Sequence, residues 1–459
     1  MAGIGFVLRK LYRQDNLSGL ARAFLHSAFA STGPWLFTVL ALGVISIMSE
    51  KSVGSDTLSY FRTILIYNFS FSLMLSGPIL MIITRYLSDS IYRRDVSNAP
   101  GMLFGALALL WGFELVLAGI FYGFVAHLGL GMTISAVINF LLLSGIWLVA
   151  VFVSALRNYR LITNAFLAGM VCAAGFCTQL GNLFGAAGMV NGFSLGLAVI
   201  MGVLLGSVQA DYPYPVKQPF AFLAYFKKFP ELALSGFVYN AAIWVDKWIM
   251  WFAPEAIHNH GLVVYPNYDS TMFMAYLTTV PAMALFLFHA ETRFFEQYMR
   301  FYRHIEQHVS LAKIEKNHQT IARSIFGSAS NFFLLQGGIA IIGILVAPQI
   351  IYFCHGNYLQ IGMLRFGILG AFFQVLTLFL LVLFSYFDSR RSNLFIQSIF
   401  LGLNTVLTCA SIFAGFRFYG FGYFLASFIT FIIAAAVMKQ YVRNLPYHSF
   451  ITTNASVMR

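Results

Sequence analysis

The chain has 459 residues, of which 59% are hydrophobic and only 10% are charged. Soluble domains carry about 25% charged residues, so this composition excludes an ordinary soluble domain and indicates a protein made largely of membrane-spanning helices. The net charge of +12 would suggest nucleic-acid binding in a soluble protein, but in a membrane protein the distribution of the basic residues decides what it means.

The first 20 residues, MAGIGFVLRKLYRQDNLSGL, place Arg9, Lys10 and Arg13 among apolar side chains. This pattern predicts an amphipathic cytoplasmic segment over residues 1–20 that lies on the inner membrane surface. The apolar run that follows is longer than the core of a cleavable signal peptide, so it predicts a retained membrane span.

Twelve apolar runs follow in chain order, and each is bounded by polar or basic residues. They lie at about 22–48, 58–86, 101–126, 131–155, 161–184, 188–209, 231–252, 270–290, 321–353, 362–387, 393–415 and 419–438. The proline-broken interval 210–230 predicts a linker between an N-terminal lobe, 21–209, and a C-terminal lobe, 231–440. The predicted fold is an all-α polytopic membrane protein with two six-helix lobes around a central cavity.

The distribution of the basic residues predicts how this fold is oriented in the membrane. Of the 28 Lys and Arg residues, all but Lys51, Arg62, Lys247, Arg365 and Arg417 fall in the N-terminal segment, in alternate loops or in the tail 441–459. Because cytoplasmic loops are enriched in Lys and Arg, both termini are predicted to be cytoplasmic. The basic residues form no single patch, so the sequence predicts no nucleic-acid partner.

Short glycine and proline motifs recur in the two halves: TGPW at 32–35 and SGPI at 76–79, then LSGF at 234–237 and TVPA at 279–282. The same offset of 203 relates Gly33 to Gly236 and Pro78 to Pro281, which favours two homologous lobes in parallel orientation. We expect these motifs to kink their helices. The residues at the expected kinks are Gly33, Pro34, Gly77, Pro78 and Pro281. Alternatively, glycine and proline are simply commoner in spanning helices.

Four charged residues fall within or near the spans: Arg62, Glu114, Asp246 and Lys247. Such charges are costly in hydrocarbon and tend to face interior cavities. Glu114 has no charged neighbour in sequence, and we hypothesise that it pairs with Arg62. We assign these four residues to the transport path or to its coupling machinery.

The stretch NAAIWVDKWIMWF at 240–252 places Asp246 about 22 Å along its helix, in the outer half of the bilayer. Adjacent residues point ~100° apart on a helix, so Asp246 and Lys247 are not expected to face each other. We expect Asp246 to face a cavity, for ion coupling or for sugar handling beside Trp244. Alternatively, Lys247 extends to the outer headgroups and the tryptophans form an interfacial belt.

A transport path also needs polar and aromatic side chains, which the spans offer at Tyr67, Asn68, Tyr239 and Asn240. The cytoplasmic loop 291–323 has apolar residues at helical spacing with charges between them. It predicts a helix that either docks a partner protein or merely connects two spans.

Catalytic motifs are sparse in this sequence. No lysine follows a glycine, so the P-loop is absent, and HExxH is absent too. The GFSLG motif at 192–196 lies inside an apolar run, where small residues more often serve helix packing than a nucleophile at Ser194. His304 and His308 lie one helical turn apart, a spacing that could bind a metal. In a segment this polar, such a pair more often lies on a solvated helix face. We therefore predict no enzyme, no cofactor and no metal.

The N-terminal stretch quoted above, STGPW at 31–35 and YNAAIWVDKWIMWF at 239–252 resemble the Pel exopolysaccharide exporter family. That family falls within the multidrug/oligosaccharidyl-lipid/polysaccharide flippase superfamily. The resemblance implies a multi-pass protein of the bacterial inner membrane that passes a hexosamine-rich polysaccharide outward for the biofilm matrix. It also implies as partners a cytoplasmic glycosyltransferase and other inner-membrane components of the synthesis complex.

Two further classes stay open at this point. A cation-coupled multidrug or lipid-linked oligosaccharide antiporter of the same architecture needs an essential carboxylate inside the membrane, which Glu114 or Asp246 could supply. A membrane-embedded acyl- or glycosyltransferase needs clustered His, Asp or Glu residues, whereas His26, His127 and His289 are scattered singly.

Overall fold

A computed structural model describes residues 17–156, 158–289, 294–354, 356–448 and 450, and almost all of them are helical. Most of the predicted amphipathic segment 1–20, and residues 449 and 451–459 of the predicted tail, lie outside the described residues. The helices of the first half are α1 (Leu17–Val53), α2 (Ser55–Tyr92), α3 (Ala99–Ile120), α4 (Leu130–Ala155), α5 (Tyr159–Asp211), α6 (Leu223–Lys228) and α7 (Pro230–Met250). A five-residue π-helical turn, Phe121–Val125, extends α3.

The second half has a two-stranded hairpin, β1 (Ile257–Asn259) and β2 (Leu262–Val264), and then helices. These are α8 (Pro266–Leu277), α9 (Val280–His289), α10 (Phe295–Glu306), α11 (Leu311–Phe353), α12 (Gln360–Tyr386), α13 (Arg390–Ala414), α14 (Phe421–Arg443) and a final turn, α15 (Leu445–Tyr447). Among the described residues, nine helices are long and apolar enough to cross a membrane. Ten of the twelve predicted spans fall on these nine helices, because α5 contains two of them, and the predicted spans 231–252 and 270–290 fall on α7 and on α8 and α9. The all-α polytopic fold is confirmed.

Helix α5 contains two of the predicted spans because the chain reverses at Gly185, whose φ of 62° and ψ of −142° are not helical. The two arms pack closely through small residues. A Cβ atom on Gly192 would lie 2.6 Å from the backbone nitrogen of Cys177, and one on Gly196 would meet the backbone of Gly169. The glycines of the GFSLG motif therefore let two antiparallel helices touch, as small residues do in membrane helix pairs.

The predicted span 270–290 is broken into α8 and α9 by Thr278 and Thr279. Both hydroxyls donate back to carbonyls of the preceding turn, at 2.6 Å to Ala275 and 2.7 Å to Tyr276. Pro281 is the second residue of α9, where a missing N–H is tolerated. By contrast, α1 and α2 run without interruption through Pro34 and Pro78.

The hairpin between α7 and α8 is a feature that the sequence analysis did not anticipate. Its antiparallel strands pair Ile257 with Val264 and Asn259 with Leu262. The two turn residues, His260 and Gly261, both have positive φ, at 48° and 84°, as a tight hairpin turn of two residues requires.

The chain divides into two compact units. The first unit is Thr32–Pro266, and the second unit is Asn267–Arg459 together with the chain before Thr32. This division differs from the lobe boundary expected at the linker 210–230, because α7 packs along α2 and therefore groups with the first unit. In the second unit, α12 packs against α11 and α14, and α13 packs against α14.

Candidate functional site

Helices α2 and α7 cross at two glycines of the first unit. A Cβ atom on Gly77 would meet the carbonyl of Gly236, and one on Gly236 would meet the carbonyl of Gly77. The backbones are therefore in direct contact, as glycine allows where two helices approach closely. Asn240, a predicted path residue, donates from Nδ2 to the Gly236 carbonyl at 2.9 Å. Its side chain lies at this crossing and is half-buried.

Further along α7, Asp246 and Lys247 form an ion pair. Nζ of Lys247 lies 3.2 Å from both carboxyl oxygens of Asp246 and donates to the Ile243 carbonyl at 3.1 Å. The expectation that these neighbours do not face each other is wrong, because the long lysine stem folds back over the preceding turn. Lys247 is only 5% exposed and Asp246 is fully buried. The side chain of Lys247 therefore does not extend out of the first unit.

An aromatic ring lies beside the ion pair. Nζ of Lys247 lies 5.6 Å from the ring centroid of Trp244, within the range of a cation–π interaction. Asp246 is fully buried in this structure and does not open to a cavity of the first unit. Each charge of the pair therefore depends on the other, since a buried charge without a partner is strongly unfavourable.

The other tryptophans of α7 stack on aromatic residues of α2. Trp248 lies parallel to Phe71 with centroids 4.9 Å apart, and Trp251 stacks on Tyr67 at 4.5 Å. The Tyr67 hydroxyl donates to the Val263 carbonyl at 2.8 Å and accepts from the Val263 N–H at 3.2 Å, which ties the hairpin to α2. These rings hold α7 and the hairpin on α2, so one face of each is not open to a sugar.

Two more predicted path residues take different positions. Tyr239 is half-buried and precedes Asp246 by two turns on the same face of α7. Asn68 is fully buried within the first unit and does not line an open path.

Asn68 belongs to a network of buried polar groups. Tyr122 donates to Asn68 Oδ1 at 2.6 Å, and Asn68 Nδ2 donates to Asn139 Oδ1 at 2.8 Å. Asn139 Nδ2 donates to Ser194 Oγ at 3.0 Å, and Ser194 donates to the Val190 carbonyl at 2.8 Å. The network joins α2, the π-helical turn, α4 and α5, and it gives the buried hydroxyl of Ser194 its hydrogen-bond partners.

Glu114 and Arg62 do not form the hypothesised pair. Glu114 is fully buried on α3, with the Ser144 side chain beside its carboxyl group. Arg62 is exposed near the start of α2, and within the described part of the chain no ion pair joins the two. Among the residues that the structure describes, Glu114 is therefore a buried acid without an ion-pair partner.

The sequence analysis missed Asn139 and Tyr122. Asn139 could have been found, because it is the one amide in the apolar run LGMTISAVINFLLLSGIW, where a buried amide needs partners. Tyr122 is brought to Asn68 by the π-helical turn, which no simple periodicity predicts. In the described part of the chain, no group of three or more His, Cys, Asp or Glu residues could hold a metal ion.

Comparison with known proteins agrees with this architecture. The family model described as "PelG: Putative exopolysaccharide Exporter (EPS-E)" matches residues 1–450. No curated protein matches the sequence.

Solved structures of transporters share the fold at low identity. A MOP superfamily transporter from Pyrococcus furiosus superimposes with a TM-score of 0.65 and 13% identity, covering 92% of this chain and 96% of that one. A mutant of the Vibrio cholerae MATE transporter VcmN superimposes with a TM-score of 0.62 and 11% identity, and the match covers 92% of this chain and 98% of that one. An outward-facing MATE family transporter of the MOP superfamily superimposes with a TM-score of 0.59 and 14% identity, and the match covers 92% of this chain and 96% of that one.

Proposed function

The chain belongs to the PelG exopolysaccharide exporter family, and from that premise we propose that it passes a Pel-type, hexosamine-rich exopolysaccharide from the cytoplasm to the periplasm. The observation that carries the proposal is the family match, which extends over residues 1–450 and so includes every predicted span. The fold shared with MOP superfamily transporters supports the same class of function. The protein would act in the bacterial inner membrane, for production of a biofilm matrix.

The groups of α7 that we assign to transport are Asp246 and Lys247. In the described conformation they neutralise each other inside the first unit. A swing of the lysine stem away from Asp246 would expose one negative and one positive group to a passing polymer at the same time. Tyr239 and Asn240, one to two turns nearer the cytoplasm on α7, are the adjoining candidates for hydrogen bonds to sugar hydroxyls.

The proposed partners are a cytoplasmic glycosyltransferase and other inner-membrane components of the synthesis complex. Helix α10 offers a cytoplasmic surface for docking. Its aromatic side packs at the end of α12, where Tyr298 contacts Tyr386 and Phe387 at 6.0 and 5.9 Å between ring centroids. Met299 and Arg300 on its other side are exposed, so a partner could reach them without unfolding the helix.

A second candidate function is favoured by Glu114. Its carboxyl group is fully buried, and a buried acid in a membrane span is a default candidate for proton transfer. In that case the chain would be a cation-coupled antiporter or flippase for drugs or lipid-linked oligosaccharides.

Complementation separates the two functions. A strain lacking this chain and carrying the wild-type gene, Asp246→Asn or Glu114→Gln would be assayed for secreted polymer and for efflux of a cationic dye. Membrane abundance and co-purification of partners are measured in parallel. Polymer secretion that depends on the chain, with dye efflux unchanged, supports the exporter. Dye efflux that requires Glu114, with no effect on the polymer, would overturn it in favour of the antiporter.

A further inference from the structure

A cavity of about 230 Å³ lies in the second unit, between helices α11, α12 and α14. Its lining is apolar apart from one hydroxyl, and consists of Ala329, Ser330, Phe333, Leu376, Phe379, Leu380 and Phe431. Pockets for drug-sized ligands measure about 300–1,000 Å³ and carry several polar groups. This one is smaller and offers almost no hydrogen bonds, so a polar ligand would lose its water contacts without replacing them.

The cavity lies at the depth of the inner leaflet. At 1.5 Å per residue, Ser330 stands about 10 Å from Arg323 towards the membrane centre. Phe431 stands about 12 Å from Lys439, and Leu380 about 12 Å from Asp388, in the same direction. Three helices thus agree that the cavity lies within the inner half of a hydrocarbon core about 30 Å thick.

Two basic residues mark the cytoplasmic end of the same groove. Helices α11 and α14 run antiparallel, and His318 Nε2 donates to the Val442 carbonyl at 2.6 Å. This bond sets the register of the two helices along their axes. In that register Arg323 lies at about the level of Lys439, and Ser330 lies at about the level of Phe431. Arg323 and Lys439 are both exposed. Arg323 precedes Ser330 by seven residues, so both are on one face of α11.

We propose that this groove binds an anionic phospholipid of the inner leaflet. One acyl chain would occupy the cavity, where apolar side chains replace its lipid neighbours. The phosphate would lie about 10 Å away, at the level of Arg323 and Lys439, where each basic residue near an anionic membrane surface contributes favourably. The site is separate from the ion pair of α7 and does not depend on the transported substrate.

Photo-cross-linking of the purified full-length protein tests the site. The probes are a phosphatidylglycerol and a phosphatidylcholine that carry the same diazirine in one acyl chain, and cross-linked peptides are identified by mass spectrometry. The variants are Ser330→Phe, which fills the cavity, and Arg323→Gln with Lys439→Gln. The matched control is Lys313→Gln with Lys316→Gln, which removes two exposed charges of α11 nearer the cytoplasm.

We expect the phosphatidylglycerol probe to label peptides around Ala329–Phe333 and Phe431, with less labelling by phosphatidylcholine. Each basic residue removed from the groove should weaken binding about fivefold, while the control pair leaves it unchanged. Ser330 is exposed, so its replacement should leave gel-filtration behaviour intact while the label is lost. Equal labelling by both probes, or labelling elsewhere, overturns the proposal. Displacement of the probe by a polyprenyl phosphate at lower concentration would assign the groove to a lipid carrier instead and equally overturns it.

Discussion

Nζ of Lys247 lies 3.2 Å from each carboxyl oxygen of Asp246, although the two residues are neighbours on one helix. The lysine reaches its neighbour by turning back towards the Ile243 carbonyl. Both charges are thereby buried as a neutral unit. The pair can be maintained inside the protein because neither member is left alone.

Replacement of one member of the pair should therefore destabilise the protein more than replacement of both. Asp246→Asn leaves a buried lysine without its anion, and removal of one partner of a buried pair costs about 3–5 kcal/mol. Adding Lys247→Met removes the orphaned charge and should recover most of that loss. Thermal unfolding in detergent measures the stability of both variants.

Polymer secretion by the same two strains separates structure from transport. If the pair serves transport, the double variant regains stability and membrane abundance but not secretion. Recovered secretion in the double variant would mean that the pair has a structural role and would move attention to Glu114.

The crossing of α2 and α7 should not tolerate a methyl group. Gly236→Ala would place its Cβ against the Gly77 carbonyl, and overpacking of this kind costs about 1–3 kcal/mol. Gly202→Ala is the matched control, since a Cβ at that helical position meets nothing within 4 Å. Unfolding temperatures of the two variants test the contact, and equal stability of both would contradict it.

The buried amide network should be more sensitive at its centre than at its end. Asn139→Leu removes the hydrogen bonds of Asn139 with Asn68 and with Ser194, and each lost hydrogen bond costs about 0.5–1.5 kcal/mol. Ser194→Ala removes one terminal hydroxyl, so it should cost less and leave polymer secretion intact. Abolished secretion in a stable Ser194→Ala variant would reopen the question of a nucleophile.

The hairpin should depend on the Tyr67 hydroxyl. Tyr67→Phe keeps the stacked ring but loses both bonds to Val263, which leaves a strand carbonyl without its partner. We expect a loss of about 1–3 kcal/mol and faster proteolysis between β1 and β2. Tyr60→Phe is the control, because Tyr60 meets the hairpin through its ring, 4.3 Å from that of His260.

Hydrophobic runs were sufficient to predict the helices, because each run of the right length must satisfy its backbone internally in lipid. Features that depend on single residues were harder to foresee. The chain reversal at Gly185 falls between the predicted spans 161–184 and 188–209, but the close packing of their glycines depends on a register that the sequence does not show. The contact between Gly77 and Gly236 depends on register between helices far apart in sequence. Sequence position alone therefore does not show that α7 packs along α2.

At the candidate site, the sequence identified Asp246 and Lys247 as unusual but not how they interact. A helical wheel fixes the direction of each Cβ, whereas a lysine carries a flexible stem long enough to cross a full turn. The proposed partner of Glu114 was wrong for a related reason. Depth along two helices does not determine whether their side chains share a face, and Arg62 is exposed where Glu114 is buried.

All six tryptophans of the chain, from Trp35 to Trp251, fall within the first unit, and the second unit has none. Tryptophan fluorescence of the unmodified protein, excited selectively over tyrosine, therefore reports on the first unit. Unfolding of the second unit would pass unseen in such a measurement. An environment-sensitive dye on Cys354, which is exposed in the second unit, would report on that unit separately.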